Sequence, residues 1–178
     1  DIVKNEVQRA ISADEDAIKR LCVRGAPAIG VAGAYGLCLG TRDLRGRPKA
    51  PFAQRLAEQA AYLEGCRPTA VNLAWAIRRT RQRAEALLAD GAESDAAWAA
   101  MLAEAHCIWR EDADVCRRIG EAGADLVRDG GGVLTHCNAG ALATVAFGTA
   151  LSVLYAAHAA GKRFRVYADE TRPLFQGA

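Results

Sequence analysis

The sequence predicts an α/β protein in two parts. The first is a mainly helical N-terminal domain, residues 1–128. The second, residues 129–178, is the opening strand–helix–strand unit of a Rossmann-like parallel sheet whose further strands are expected beyond Ala178. Three observations carry this. Helix starts, helix stops and apolar positions at helical spacing recur through the first two thirds of the chain. The texture changes abruptly at Asp129-Gly130. After it, a short apolar run (133–137), a long apolar stretch (141–160) and a second short run (165–168) read as strand, helix and strand,.

Each element has its own signal. Ser12-Ala13-Asp14-Glu15 is a capping box opening a helix to about Leu21,. Pro27 suits the first turn of a second helix, on which Gly30, Gly33, Gly36 and Gly40 share one face that another backbone can approach closely,. The polar stretch 41–51 reads as a loop, and 52–63 as a helix. Gly65-Cys66-Arg67-Pro68 breaks the chain, and a further helix runs from Pro68 or Thr69 to about Leu88, closed by Asp90-Gly91. Ser94 is placed to cap a long helix through Trp98 and Trp109 towards Val127, weakened but not forbidden by Gly120 and Gly123,. Gly161 ends the 141–160 helix,. Two strands joined by a helix predict a parallel pair with a right-handed crossover. Parallel sheets are covered on both faces, so residues 1–178 alone are expected to be poorly soluble or molten. The chain, which opens on Asp1 rather than Met, is read as a piece of a longer protein.

The bulk numbers exclude several classes. A compact fold of 178 residues would bury roughly 70% of its unfolded surface and needs no disulfide or metal for stability,. The net charge is +2, basic residues are scattered apart from Arg78-Arg79, Arg81 and Arg83, and aromatic residues are few, which argues against a nucleic-acid surface,. Cys22, Cys38, Cys66, Cys107, Cys116 and Cys137 form no Cys-x-x-Cys pair, and three histidines lack zinc spacing, so no metal is expected,. No signal peptide is expected from these residues, and they hold no membrane-length apolar run,. A reduced, cytoplasmic compartment fits this usage of cysteine.

The chemistry-bearing candidates lie in four places. Cys137 is expected at the carboxyl end of a buried strand, with the backbone N–H groups of Asn138, Ala139 and Gly140 at a helix start beside it, a setting that stabilises an anion. A buried structural cysteine is the alternative. His136 is read as structural, because adjacent strand residues point to opposite faces and Thr135 shares a face with Cys137 instead. Arg24, Gly25 and Ala26 set an arginine at a flexible turn before a helix, which suits a phosphate; a tight turn feeding a packing helix is the alternative, and the string matches neither a P-loop nor a dinucleotide fingerprint,. Arg67 repeats that logic, or is simply solvated. Asp169 and Glu170 follow the second strand, where they orient a sugar hydroxyl or cap a loop, with Arg172 as a partner. Gln176 and Gly177 lie just beyond.

The strings RGAPAIGVAGAYG, RPTAVNLAWA, LTHCNAGALAT and VYADETRPLFQGA resemble the methylthioribose-1-phosphate isomerase family, over 17–178 and in the right order. That family shares a superfamily with the α, β and δ regulatory subunits of translation factor eIF2B and with ribose-1,5-bisphosphate isomerase. The resemblance implies isomerisation of 5-methylthioribose 1-phosphate to 5-methylthioribulose 1-phosphate in methionine salvage. It implies no cofactor or metal, and a homodimer when full length. It makes Cys137 the catalytic thiol and Arg24, Gly25, Ala26, Arg67 and Gln176 substrate contacts. It also implies a catalytic aspartate and an Asn-Lys pair in later blocks that this sequence does not contain, so this fragment is expected to be inactive alone. An eIF2B-type regulatory subunit without catalysis is one rival. An isomerase of ribose 1,5-bisphosphate or 5-deoxyribose 1-phosphate is another.

Overall fold

The computed structural model describes Ile18 and residues 22–172. The capping box at Ser12–Glu15, the helix it opens and Gln176 lie outside these residues. The chain divides into two compact units, residues 1–110 and 111–178. The change of texture at 128/129 marks where strand structure begins; the units part earlier, inside a helix.

The first unit is helical. Helix α1 (Ala26–Gly40) starts behind Gly25, with Pro27 in its opening turn. It is buried over most of its circumference from Ala28 to Ala34 and again at Leu37 and Cys38, as expected of a helix with no polar face. Its last carbonyls are met by side chains: the Thr41 hydroxyl donates to Leu37 at 2.9 Å and the Trp98 indole N–H donates to Cys38 at 2.7 Å,. After a single 3-10 turn at Arg42–Leu44, α2 (Lys49–Cys66) begins three residues before the expected start. It buries Phe52, Leu56, Ala60 and Leu63 along one stripe. Helix α3 (Val71–Ala89) buries Leu73, Ala76, Ile77, Thr80 and Ala84. It closes as the Asp90-Gly91 signal predicts: Gly91 takes φ 91°, its N–H bonds to Leu88, and Ala92 N–H reaches back to Leu87,.

The glycine face of α1 decides how these helices pack. A Cβ on Gly30 would sit 3.0 Å from the Asn72 carbonyl oxygen, and one on Gly33 would sit 2.5 Å from Leu73 Cδ1. Further along, Gly36 faces Leu63 and Gly40 faces Gln59. Ascending positions on α1 therefore meet ascending positions on α3 and descending positions on α2. So α1 and α3 run parallel, with their N-termini at the same end, and α2 runs back against α1.

Helix α4 (Ser94–Gly123) is 30 residues long. Ser94 is its first residue rather than its cap: Ala97 N–H bonds to the Glu93 carbonyl, and the buried Ser94 hydroxyl donates to the Arg47 carbonyl at 2.6 Å. A 3-10 turn at Ala124–Leu126 continues it to Val127. Gly120 and Gly123 are helical, and the space beside them leaves no room for a larger residue. A Cβ on Gly120 would lie 2.7 Å from the Ser152 carbonyl oxygen, and one on Gly123 would lie 2.6 Å from Val153.

The second unit carries β1 (Gly132–Thr135), α5 (Ala150–Ala159) and β2 (Arg165–Ala168). The strands pair in parallel, Gly132 opposite Arg165 through Thr135 opposite Ala168. Three expectations are corrected. The first strand ends at Thr135, short of Cys137, and it is not buried on both faces. Val133 packs against Val127, Leu154 and Ala157, whereas Leu134, facing the other way, is 67% exposed, and β2 is exposed throughout. Strand alternation explains this, since among the described residues helix packing is recorded only on the Val133 face. The helix also starts at Ala150 rather than at 141. Phe147 and Gly148 take positive φ of 46° and 87°, and the Thr144 hydroxyl accepts from the amides of Ala146 and Gly148. A side chain that bonds its neighbours' backbone competes with helix, and an apolar run of alanines conceals that competition. The far end is as expected: Gly161, at φ 88°, bonds to His158 and Lys162 N–H reaches Ala157.

Candidate functional site

In the first unit, Gly25 has φ 90° and ψ 135°, a conformation that favours glycine, and it turns the chain into α1,. Ala26 follows as the first helical residue, exposed, and no side chain caps the helix start. Arg24 is half-buried immediately before the turn. Arg67 is the residue after α2, and its carbonyl accepts from Ala70 N–H at 2.9 Å in the turn that leads into α3. No side chain caps α3 either. The parallel packing of α1 and α3 brings the turns carrying Arg24, Gly25, Ala26 and Arg67 to one end of the helix pair. Two helix N-termini gather there, neither capped by the side chain of its own N-cap residue, and each carries a partial positive charge,.

Arg67 supplies the decisive detail. Its Nη1 is buried and has no hydrogen-bond partner among the described residues. A guanidinium nitrogen withdrawn from water without an acceptor is costly, and arginine is suited to a planar, two-pronged oxyanion. A buried donor beside two helix starts is a constellation that can hold an anion.

In the second unit, Cys137 is exposed and takes φ 68°, a left-handed conformation that costs a residue with a Cβ roughly 1–2 kcal/mol,. The expected helix start beside it is absent; the chain from 138 to 149 is a loop with one 3-10 turn at Ala141–Ala143. Cys137 sits between two fixed points. On one side, Asp169 N–H bonds to the Thr135 carbonyl at 3.1 Å, and His136 Nδ1 lies 3.4 Å from Asp169 Oδ2. On the other, the Ala139 carbonyl accepts from both Thr149 N–H at 3.0 Å and Leu151 N–H at 3.3 Å.

The acids after β2 thus do stand beside the β1 end, because Ala168 pairs with Thr135. The expected opposition of His136 and Cys137 does not apply as argued: strand alternation stops at Thr135, and the turn at Cys137 resets the direction of the chain. Among these acids, Glu170 accepts from the Thr171 N–H, and the Arg172 guanidinium donates to the Thr171 carbonyl. Sequence reasoning missed one residue here, and at Asn138 it weighed only the backbone N–H. The Asn138 side-chain amide oxygen is buried and has no partner among the described residues. Asp112, on α4, accepts from Val145 N–H at 2.9 Å, and burial pushes its carboxyl above the usual range. Asp112 had no local signal, lying far from the loop in sequence. Of the other thiols, burial pushes Cys38 up to about 12, and Cys116 is also raised, first by burial. A cavity of about 620 Å³ borders β1 and α5, lined mainly by apolar groups such as Leu126, Val133 and Leu154, and Cys137 is not among its lining residues. No group of three or more metal-ligating side chains occurs among the described residues, and none of their helices is long and apolar enough to cross a membrane.

Residues 22–178 match the initiation factor 2 subunit family, described as IF-2B. The chain belongs to this family. Among curated members it is 52% identical over 170 residues to 5-deoxyribose 1-phosphate isomerase of Moorella thermoacetica, covering 96% of this chain and 48% of that protein. It is 50% identical over 163 residues to methylthioribose-1-phosphate isomerase of Pelotomaculum thermopropionicum, covering 92% and 44%. Among solved family structures, 5-methylthioribose 1-phosphate isomerase from Pyrococcus horikoshii superposes with a TM-score of 0.83 at 38% identity, covering 97% of this chain and 46% of that one. The eIF-2B delta subunit from A. fulgidus gives 0.81 at 43% identity, covering 97% and 48%. The chain spans about half the length of the curated relatives it matches.

Proposed function

We propose that the full-length protein is an aldose–ketose isomerase converting 5-methylthioribose 1-phosphate to 5-methylthioribulose 1-phosphate. The observation that carries this is the buried, partnerless Arg67 Nη1 at the end of the helix pair where α1 and α3 both begin. Arg67 and the turn at Arg24, Gly25 and Ala26 hold the substrate phosphate, with Gln176 as a further contact. The names of the relatives in Pelotomaculum and Pyrococcus support the same substrate.

Cys137 is the catalytic thiol of this reading. Protonation of the ring oxygen breaks its bond to C1. The hydrogen on C2 moves to C1, the C2 hydroxyl gives up its proton, and the ketone forms at C2 while the phosphate stays on C1. An acid and a thiol divide this work as general acid and base, or an apolar pocket carries the hydrogen across as hydride. The acid, an aspartate in a later block of the family, lies outside this sequence, so residues 1–178 alone bind phosphate without turnover. The same reading makes the full-length protein a cytoplasmic homodimer.

Turnover of 5-methylthioribose 1-phosphate by the full-length protein tests it. Cys137→Ser should lower kcat by about a hundredfold or more, and solvent deuterium at C1 would mark proton rather than hydride transfer. A second reading rests on the Moorella relative, which is named for 5-deoxyribose 1-phosphate; preference for that substrate would select it. Phosphate-ester binding with no turnover of either sugar would favour the regulatory role that the name of the A. fulgidus neighbour suggests.

A further inference from the structure

We propose that Asp112 is a positioning residue for Cys137, acting through the loop between β1 and α5. This rests on the reading of Cys137 as the catalytic thiol. A left-handed residue with a Cβ keeps that conformation only where its surroundings over-determine it, and Cys137 is such a residue, with φ 68°. The strand side is held by the pairing of Thr135 with Ala168 and by the bond from Asp169 N–H to Thr135. The loop side needs equal restraint, yet residues 138–149 form neither strand nor α-helix.

Three attachments supply it. The Ala139 carbonyl closes the loop onto the first turn of α5 through Thr149 and Leu151. The Thr144 hydroxyl, fully buried, donates to the Ala146 carbonyl at 2.6 Å and accepts from the amides of Ala146 and Gly148. Both of these are internal to the loop and α5. Asp112 attaches the loop to another element, beside the contact of Thr144 with Cys116: its Oδ2 accepts from Val145 N–H at 2.9 Å, fixing the middle of the loop to α4. The carboxylate is partly buried, Cys116 stands one turn further along α4, and Thr144 and Val145 are buried over it. A charge-assisted bond of this kind is roughly twice as strong as a neutral one. Its loss would leave a buried amide unbonded and free the loop to relax, and Cys137 with it.

Kinetics of the full-length protein test this. Asp112→Ala should lower kcat by about a hundredfold with KM changed less than about twofold. Asp112→Asn keeps an oxygen that can accept from Val145 N–H and should restore most of the rate. Asp112→Glu, which retains the charge but displaces it by one methylene, should fold and also lose kcat, and it stands in if the alanine variant fails to fold. Peptide-resolved alkylation of Cys137 by iodoacetamide should change by more than about threefold in the alanine or glutamate variant and return to the wild-type rate in the asparagine variant. Wild-type kcat in the alanine or glutamate variant, an effect confined to KM, or equal losses with asparagine and alanine would overturn the proposal. If wild type turns over no sugar phosphate, the functional reading fails by itself, and the alkylation rates alone decide whether Asp112 positions the thiol.

Discussion

Gly30 lies against the main chain of Asn72, so close that a Cβ on Gly30 would sit 3.0 Å from the Asn72 carbonyl oxygen. This approach fixes α1 and α3 in parallel and gathers the turns of Arg24 and Arg67 at one end. Filling the stripe should separate them. Gly33→Ala would push a methyl to within 2.5 Å of Leu73 Cδ1 and should destabilise the protein by about 1–3 kcal/mol,. Gly65→Ala is the matched control: it is helical with nothing within 4 Å, and should stabilise by about 0.5–1 kcal/mol. Urea denaturation of both variants measures the two signs.

Arg67 should be the residue through which an anion stabilises the fold. Inorganic phosphate should raise the Tm of wild type, as any ligand of the native state does, and Arg67→Ala should lose most of that shift. Arg67→Lys should recover it only in part, because lysine lacks the two-pronged geometry. An equal phosphate shift in wild type and Arg67→Ala would remove the anion from this end of the helices.

Cys137→Gly separates comfort from chemistry. Glycine accepts φ 68° without penalty, so the variant should be more stable than wild type by up to about 1 kcal/mol, while losing turnover. A variant less stable than wild type would mean that the thiol makes a stabilising contact. Alkylation of the native protein should reach the exposed Cys22 and Cys137 first. Cys38, buried and pushed up to about 12, should stay protected until unfolding.

Asp112 sets a pH dependence whose sign follows from its burial. Its folded-state pKa lies above the ordinary aspartate value, chiefly through desolvation. The native state therefore holds its proton more tightly than the unfolded chain, so this group costs stability above its folded pKa. The cost is relieved as pH falls towards the unfolded value of about 3.9. The neutral Asp112→Asn should accordingly gain on wild type in Tm as pH rises from about 4 to about 7. A Tm difference that is flat with pH would refute the assignment.

The helical unit was largely legible in the sequence because its signals are local: Pro27 at a helix start, Asp90-Gly91 at a helix end, and glycines at helical spacing. The errors cluster where a distant partner decides. The apolar stretch after Gly140 reads as helix, but Thr144 bonds its own backbone and Asp112, from another element, takes Val145 N–H. Ser94 has the right chemistry for a cap, yet the Arg47 carbonyl claims its hydroxyl. Arg24, Gly25, Ala26 and Arg67 were found as two separate motifs, and only the glycine contacts of α1 show that their turns share an end.

The glycine face of α1 also limits what the gene can vary. At Gly30 and Gly33 an added methyl would meet the main chain of Asn72 or the buried Leu73 at 3.0 Å or less, and every replacement for glycine adds at least that methyl. These two sites should be nearly silent in a saturation library, with no permitted substitution to drift through, whereas at Gly40 the flexible end of Gln59 has room to give way. Gly36, where the nearest atom would be 3.5 Å away, should admit alanine. The codons that keep the two arginine turns together would then be among the least variable in the helical unit, although none of them encodes a proposed substrate contact.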